Sequence, residues 1–306
     1  VKNILITGGT GLIGTHLGSR LQEKGYHVSL LSRSGRSDTS FSVYLWDPDK
    51  GEVDDQALDH ADYIIHLAGV NLGDKRWTPG RKQQILESRV KSGELIYHAI
   101  EQRERKPLAF ITASAIGYYG AVTTDTIFEE TAPANDDFLG RICKSWEGVA
   151  DRFDKIGIRS IKIRTGIVFS KQGGALSKLV LPIRLGVGAP IGNGLQYLPW
   201  IHIEDLCGIF IHAIENPPLA GAYNAVAPEH ITNKDLTLKI ARELKRALWL
   251  PNIPAGLMKL LFGEMSVMLL EGSRVSSEKI RAAGYKFLFP DIASALRQLH
   301  SNLPMK

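Results

Sequence analysis

Seven residues near the start of the chain, Gly8-Gly9-Thr10-Gly11-Leu12-Ile13-Gly14, carry the clearest chemical signal in the sequence. An apolar run, Asn3–Thr7, leads straight into them, and a stretch of helical spacing, Leu12–Lys24, leads out. Three of the glycines then have separate tasks. Gly8 permits a tight turn, Gly11 lets main-chain amides approach a diphosphate, and Gly14 lets the helix pack close to the strand. The first amides of that helix, at the positive end of its dipole, add attraction for an anion. Thr10, Leu12 and Ile13 share the turn, and all six positions are expected to contact a dinucleotide.

A second signal ends the next apolar run. Sites for NAD usually place an acid there to accept both ribose hydroxyls. This chain has Leu31-Ser32-Arg33-Ser34-Gly35-Arg36. An acid would repel a 2′-phosphate, whereas Arg33 can pair with it bidentately and Ser32 can donate a hydrogen bond, with Arg36 on the same basic loop. NADP(H) is therefore the preferred cofactor and NAD(H) the alternative. The competing reading is an exposed loop that is merely basic.

Such a turn works only if a sheet holds it. Strand-like runs at Asn3–Thr7, His27–Leu31, Val43–Trp46, Tyr63–Leu67, Ala109–Ala113 and Ser160–Ile163 alternate with helical patterns at Leu12–Lys24, Lys82–Glu101 and Phe138–Lys155. That rhythm predicts an α/β fold, a Rossmann-type doubly wound parallel sheet with ligand at the carboxyl ends of its strands. After about Thr165 glycines and prolines thicken, and residues 171–199 read as loops and short strands. Thr232 to Asp235 followed by apolar spacing reads as a capped helix, and Leu257–Leu270 as packed helix. The expected division is a dinucleotide-binding domain over 1–165 and a mixed region over 166–306. The latter returns to the sheet and forms a smaller C-terminal substrate lobe, with a distinct segment from about 250.

Composition narrows the classes. Apolar residues are 44% and charged residues 23%, ordinary for a chain with a sizeable core. A formal charge of +5 without a Lys/Arg run argues against a nucleic-acid partner and fits a basic cleft for an anion. Two separated cysteines, Cys143 and Cys207, and scattered histidines predict neither a disulfide framework nor a metal. An opening strand where a leader would stand, and no apolar stretch long enough for a bilayer, predict a cytoplasmic protein without a membrane partner.

Several segments resemble the extended short-chain dehydrogenase/reductase superfamily. Residues 7–14 are similar to its TGxxGxxG loop. His66-Leu67-Ala68-Gly69 resembles its fourth-strand motif, which implies that Leu67, Ala68 and Gly69 border the adenosine half of the cofactor. Ser114 follows the fifth strand, where the superfamily keeps a catalytic serine. Residues 164–169 resemble the segment whose main chain meets the nicotinamide, which brings in Ile167. Residues 200–206 resemble the FVHVDDL segment of sugar-nucleotide epimerases. Residues 118–120, 144–147, 198–202 and 269–272 together resemble one subgroup, the NAD-dependent epimerase family proteins, some labelled cell-division inhibitors. The subgroup also has a family-specific C-terminal segment.

The pattern breaks at the tyrosine. The superfamily's YxxxK puts phenol and ammonium on one helical face, where the ammonium eases proton exchange. Lys144 fits the lysine, and it can also hold the nicotinamide ribose, but Gly140 stands four residues earlier. Tyr118 and Tyr119 lie just past Ser114 and are the candidate substitute donors, with Ser114 and Lys144 completing the expected catalytic set. The competing reading is aromatic packing. Arg89 falls where extended relatives tend to place an active-site asparagine, and brings a fixed charge towards the cofactor or an anionic substrate. Gln84 lies on the same helix.

For the substrate, the candidates are Trp77, Arg184, Trp200 and His202. Arg184 can take a phosphate and a tryptophan can stack on a flat ring. Two functions compete. One is an NADP(H)-binding oxidoreductase or epimerase-like enzyme acting on an anionic or nucleotide-linked small molecule. The other is a non-catalytic NADP(H)-sensing regulator. Related folds often pair through helices such as those at 82–101 and 138–155, which by analogy makes a homodimer an expectation.

Overall fold

A computed structural model describes residues 1–35 and 40–300, so Arg36 lies outside the described residues. The first strand, β1 (Asn3–Thr7), is apolar from Ile4 to Ile6 and almost wholly buried, as a strand covered on both faces must be. Helix α1 (Leu12–Glu23) follows, then β2 (His27–Ser32), β3 (Ser42–Asp47), β4 (Glu52–Val53), α2 (Asp55–Asp59) and β5 (Tyr63–His66). Next come α3 (Pro79–Glu101), β6 (Ala109–Ala115), β7 (Ile127–Phe128), α4 (Phe138–Lys155) and β8 (Arg159–Thr165). The lobe begins with β9 (Ile167–Ser170), β10 (Gly173–Gly174), α5 (Ala175–Arg184) and β11 (Trp200–His202). Then α6 (Ile203–Glu215) and β12 (Gly221–Ala225) carry the chain back to the sheet.

The main sheet has the order β12-β8-β6-β5-β1-β2-β3-β4. Its pairings are parallel except β3 with β4. Strand order reverses at β1, with β2 on one side and β5 on the other, which makes their carboxyl ends the natural ligand crevice. Helices α1 and α6 pack on one face, where Leu17, Leu21, Leu206 and Phe210 are buried. Helices α3 and α4 cover the other, where Phe110 and Phe153 stack with ring centroids 3.9 Å apart.

In the lobe, β9 pairs with β10 and β11, and α5 packs with α7 (Asn233–Glu243) and α11 (Ile292–His300) around Phe169 and Trp200. Helix α7 has the expected cap, Thr232 accepting from the Asp235 amide at 3.1 Å. Two expectations need correction. The stretch read as loops and short strands contains α5, ten residues with Leu176, Val180 and Ile183 buried at helical spacing. Flanking glycines concealed so short a pattern. The apolar stretch near 257–270 is not one helix. It forms α8 (Ala255–Phe262), a 3₁₀ turn at Gly263–Ser266 and α9 (Val267–Leu270), broken where Gly263 takes φ +60°. Strand β13 (Arg274–Val275), beside β7, and α10 (Glu278–Ala282) complete the described chain. Among the described residues no helix is long and apolar enough to cross a membrane.

Candidate functional site: a cavity over the first strand-to-helix turn

Backbone contacts force the glycines of the turn. Gly8 takes φ +66°, and a Cβ there would lie 2.8 Å from the Leu67 carbonyl. A Cβ on Gly14 would sit 2.5 Å from Gly8 O, so the helix could not approach. The Gly11 amide donates to Gly8 O at 3.1 Å. Gly11 is also the N-cap of α1, and neither a capping side chain nor a first-turn acid claims the amides of Leu12, Ile13 and Gly14. Their partial positive charge is thus left without a side-chain partner among the described residues, although Leu12, Ile13 and Gly14 do not themselves line the cavity above the turn.

A cavity of about 670 Å³ opens above this turn. One wall is the end of β2, including Ser32, Arg33 and Ser34; the other is Leu67 to Val70, and α3 lends Gln84, Ser88 and Ser92. The fold thus brings Gly8, Thr10, Gly11, Ser32, Arg33, Leu67, Ala68, Gly69 and Gln84 around one space. Arg33 is exposed and makes no hydrogen bond or ion pair among the described residues. Gln84 accepts from Arg81 at 2.7 Å. Trp46, Pro48 and Asp49, beside the cavity at the end of β3, were missed by sequence reasoning. Their signal was a tryptophan at a strand's carboxyl end, where the crevice must lie. Ile167 opens β9 in the lobe and is absent from the cavity wall.

Beneath the wall runs a polar floor. Thr7 Oγ1 meets His66 Nδ1 at 2.8 Å and accepts from the Ala68 amide at 3.2 Å. His66 is buried, and burial followed by the nearby Arg89 charge holds its pKa down to about 4, so the ring is neutral. Ser88 Oγ accepts from the Val70 amide at 3.1 Å, while Arg89 Nη2 donates to the Val70 carbonyl at 3.1 Å. Arg89 therefore meets the wall from behind and does not line the cavity.

At the carboxyl ends of β6 and β8 two of the expected catalytic groups, Ser114 and Tyr119, are committed elsewhere. Ser114 is buried and donates to Glu147 Oε1 at 2.7 Å, so its proton is not offered to a carbonyl. Glu147 also accepts two bonds of 2.8 Å from Arg164. Tyr119 is 1% exposed, donates to Asn224 at 2.7 Å and accepts from Arg164 at 2.9 Å. Burial pushes its phenol up to about 12. As a substitute acid, Tyr119 is corrected to a structural tyrosine. Tyr118 is half-buried with the Arg164 guanidinium 3.5 Å from its ring centroid, and its hydroxyl makes no hydrogen bond among the described residues.

Gly140 has a steric cause. A Cβ there would lie 2.0 Å from the Asn135 carbonyl oxygen, so the 135 segment fills the space a side chain would need. Lys144 stands apart from these groups. It is exposed, while the face of α4 turned to Gly117 carries Leu139 and Cys143, whose atoms lie 3.3 and 3.8 Å from a Cβ placed there. One residue of helical phase moves the lysine off that face.

The substrate candidates do not converge. Trp200 is fully buried and stacked near Phe169, and His202 is the buried N-cap of α6, accepting from the Glu204 amide at 3.2 Å. In this structure both are core residues, with no exposed face to offer a ligand. Trp77 is buried, donates to Leu72 O at 3.0 Å and packs edge-on against Phe138, which leaves it no face for a substrate ring. Arg184 is half-buried in the last turn of α5, outside the cavity.

Comparison with known proteins fits this architecture. Residues 4–226 match the NAD dependent epimerase/dehydratase family, and residues 253–299 match a domain of unknown function, DUF1731. The chain is 36% identical over 298 residues to the epimerase family protein YfhF of Bacillus subtilis, covering 97% of each. It is 34% identical over 303 residues to human epimerase family protein SDR39U1, covering 97% of this chain and 99% of that one. A crystal structure of the human protein (isoform 2) with NADPH superposes with a TM-score of 0.87 at 33% identity, covering 98% of this chain and all of the other. On its turn, its sheet and nearly its whole length, the chain belongs to the NAD dependent epimerase/dehydratase family.

Proposed function

We propose that the protein is an NADP(H)-binding oxidoreductase or epimerase-like enzyme of the extended short-chain dehydrogenase/reductase type, acting on an anionic or nucleotide-linked small molecule. The observation that carries this reading is Arg33, without an ion pair among the described residues, at the rim of a cavity lined by Gly8, Thr10 and Gly11 of the turn that leads into the uncapped helix α1. A dinucleotide phosphate fits that donor set, since a Cβ at Gly8 or Gly14 would collide with backbone and close the turn. The presence of NADPH in the human relative's crystal supports it.

Within this reading each group has a task. The amides of α1 bind the diphosphate, and Ser32 with Arg33 receives a 2′-phosphate. The nicotinamide, when bound, supplies hydride transfer. Tyr118, with a hydroxyl free of internal bonds, holds the proton that a substrate oxygen must gain or lose. Calorimetry with NADPH and NADH tests the cofactor choice. Arg33→Ala is expected to weaken NADPH by about 1.5–3 kcal/mol, one charge-assisted contact, and NADH far less. Equal losses would reject the phosphate pairing.

A second reading, a non-catalytic NADP(H) sensor, is favoured by one feature: Asn135 occupies the space of the missing phenol. The reduced-nicotinamide absorbance of bound NADPH separates the two. If no carbonyl compound oxidises bound NADPH and no alcohol or nucleotide sugar reduces bound NADP+, the sensor reading gains; a change in either direction supports the enzyme.

A further inference from the structure

We propose that Arg89 is the electrostatic anchor for the diphosphate of the bound dinucleotide, a buried cation whose counter-ion is the ligand itself. The inference rests on reading the cavity as a pyridine-dinucleotide site.

Arg89 lies in the middle of α3 and is 6% exposed. The other deeply buried arginine, Arg164, has both oxygens of Glu147. Arg89 pairs with no described carboxylate. Its Nη1 donates to Ile85 O at 2.9 Å and its Nη2 to Val70 O at 3.1 Å, while its Nε has no acceptor. Trp146 lies 5.0 Å from its carbon centre, and an aromatic face softens a cation's burial without neutralising it.

The titratable groups around it do not supply the missing charge. Burial, then the Glu147 charge, pushes the Cys143 thiol up to about 12, so it stays protonated. His66 is neutral, and Arg81 adds a like charge. Burial pulls the Arg89 guanidinium down to about 10, still charged at neutral pH. A buried charge left without a partner is costly, which marks this place as incomplete without an anion.

Geometry says where the anion belongs. A Cβ on Gly69 would lie 3.1 Å from both Cγ and Cζ of Arg89, so the side chain lies flat against the Gly69 main chain. Gly69 lines the cavity along with Gly8, Thr10 and Gly11, and a Cβ on Gly8 would lie 2.8 Å from the Leu67 carbonyl. A single layer of backbone thus separates the guanidinium from the space above the phosphate turn. At that range, inside protein, opposite charges attract with little screening. A side chain at Gly69 would crowd the guanidinium from this side.

Arg89 also holds the Val70 carbonyl, so the test must separate charge from clamp. The full chain and its Arg89→Met and Arg89→Lys variants are titrated with NADPH, NADH and ADP by calorimetry, with thermal unfolding measured without ligand. Arg89→Met is expected to weaken all three ligands about tenfold, with unliganded Tm at or above the wild type. Arg89→Lys, which keeps the charge, is expected to stay within about threefold. If Arg89→Met does not fold, Arg89→Gln, which keeps donors without charge, replaces it with the same expected loss. Unchanged affinity in the neutral variant overturns the proposal. So does a loss that Arg89→Lys shares in full, since that marks a lost clamp. Failure of the wild type to bind any of the three instead refutes the dinucleotide reading of the cavity.

Discussion

Alanine and tyrosine placed at Gly140 test why the family's phenol is absent. A Cβ at this position would stand 2.0 Å from Asn135 O, 2.7 Å from its carbonyl carbon and 3.0 Å from its nitrogen. The Asn135 segment cannot simply retreat. Its amide donates to Tyr118 O at 2.9 Å, its side-chain oxygen accepts from the Asp137 amide at 3.0 Å, and Asp137 caps α4 by accepting from the Gly140 amide at 2.8 Å. Overpacking of this kind costs about 1–3 kcal/mol. Disturbing the cap adds about 1 kcal/mol, and helix propensity returns up to about 1 kcal/mol. Gly140→Ala is therefore expected to lose about 1–3 kcal/mol, read as a lower urea midpoint at unchanged slope. Gly140→Tyr, although it rebuilds YxxxK in sequence, is expected to gain no turnover. An alanine variant as stable as the wild type would refute the reasoning, because the 135 segment would then be free to move.

Further outcomes follow from the buried polar groups. Burial holds His66 and His202 down to about 4 from an ordinary 6.5, so the folded state binds fewer protons than the unfolded chain between those values. Stability is then present above about pH 6.5 and lost as pH falls towards 4, at most about 3 kcal/mol for each ring. Urea unfolding from pH 7 to 4.5 reads it, and a flat profile would disprove it. Tyr119→Phe removes the donor to Asn224 and an acceptor from Arg164, and is expected to cost about 1–3 kcal/mol while leaving nucleotide affinity unchanged. Tyr118→Phe is expected to do the reverse, sparing stability and lowering any turnover by about a hundredfold or more; turnover that persists sinks Tyr118 as proton carrier.

Much of the scaffold was legible because periodicity reports burial. Phe138–Lys155 and Asn3–Thr7 were read to the residue, since an apolar stripe or a buried run has sharp edges there. The phosphate turn was legible for a stronger reason, as each glycine answers to a backbone contact that no other residue permits. What sequence could not give was helical phase against a neighbour. Lys144 and Cys143 are adjacent in the chain, yet one faces water and the other the Gly117 turn. Trp200 and His202 stood in a segment resembling the FVHVDDL segment of sugar-nucleotide epimerases, but nothing in a sequence tells a ring facing a cleft from a ring facing Phe169. Asn135 was invisible because its effect on Gly140 comes from a loop carbonyl, and every residue type has one.

The two buried arginines suggest how site and scaffold can be told apart in such a fold. Strand ends at the crevice leave main-chain groups unpaired, so polar side chains collect there whether or not they serve a ligand. Arg164 is satisfied: with Glu147, Tyr119 and the Glu130 carbonyl it forms a closed set, its charge held above its ordinary range by Glu147 although burial opposes it. A closed set ties β8 to α4 and to the turn after β6, and a ligand adds nothing to it. Arg89 is open, with an Nε that has no acceptor and no carboxylate partner among the described residues, against the main chain of Gly69, which lines the cavity over the phosphate turn. Positive charge left uncompensated beside a cavity is what an entering anion would complement, which is the basis of the anchor proposed for Arg89. Saturation, more than burial, separates Arg164, which holds elements of this molecule together, from Arg89, whose charge the fold leaves unmet among the described residues.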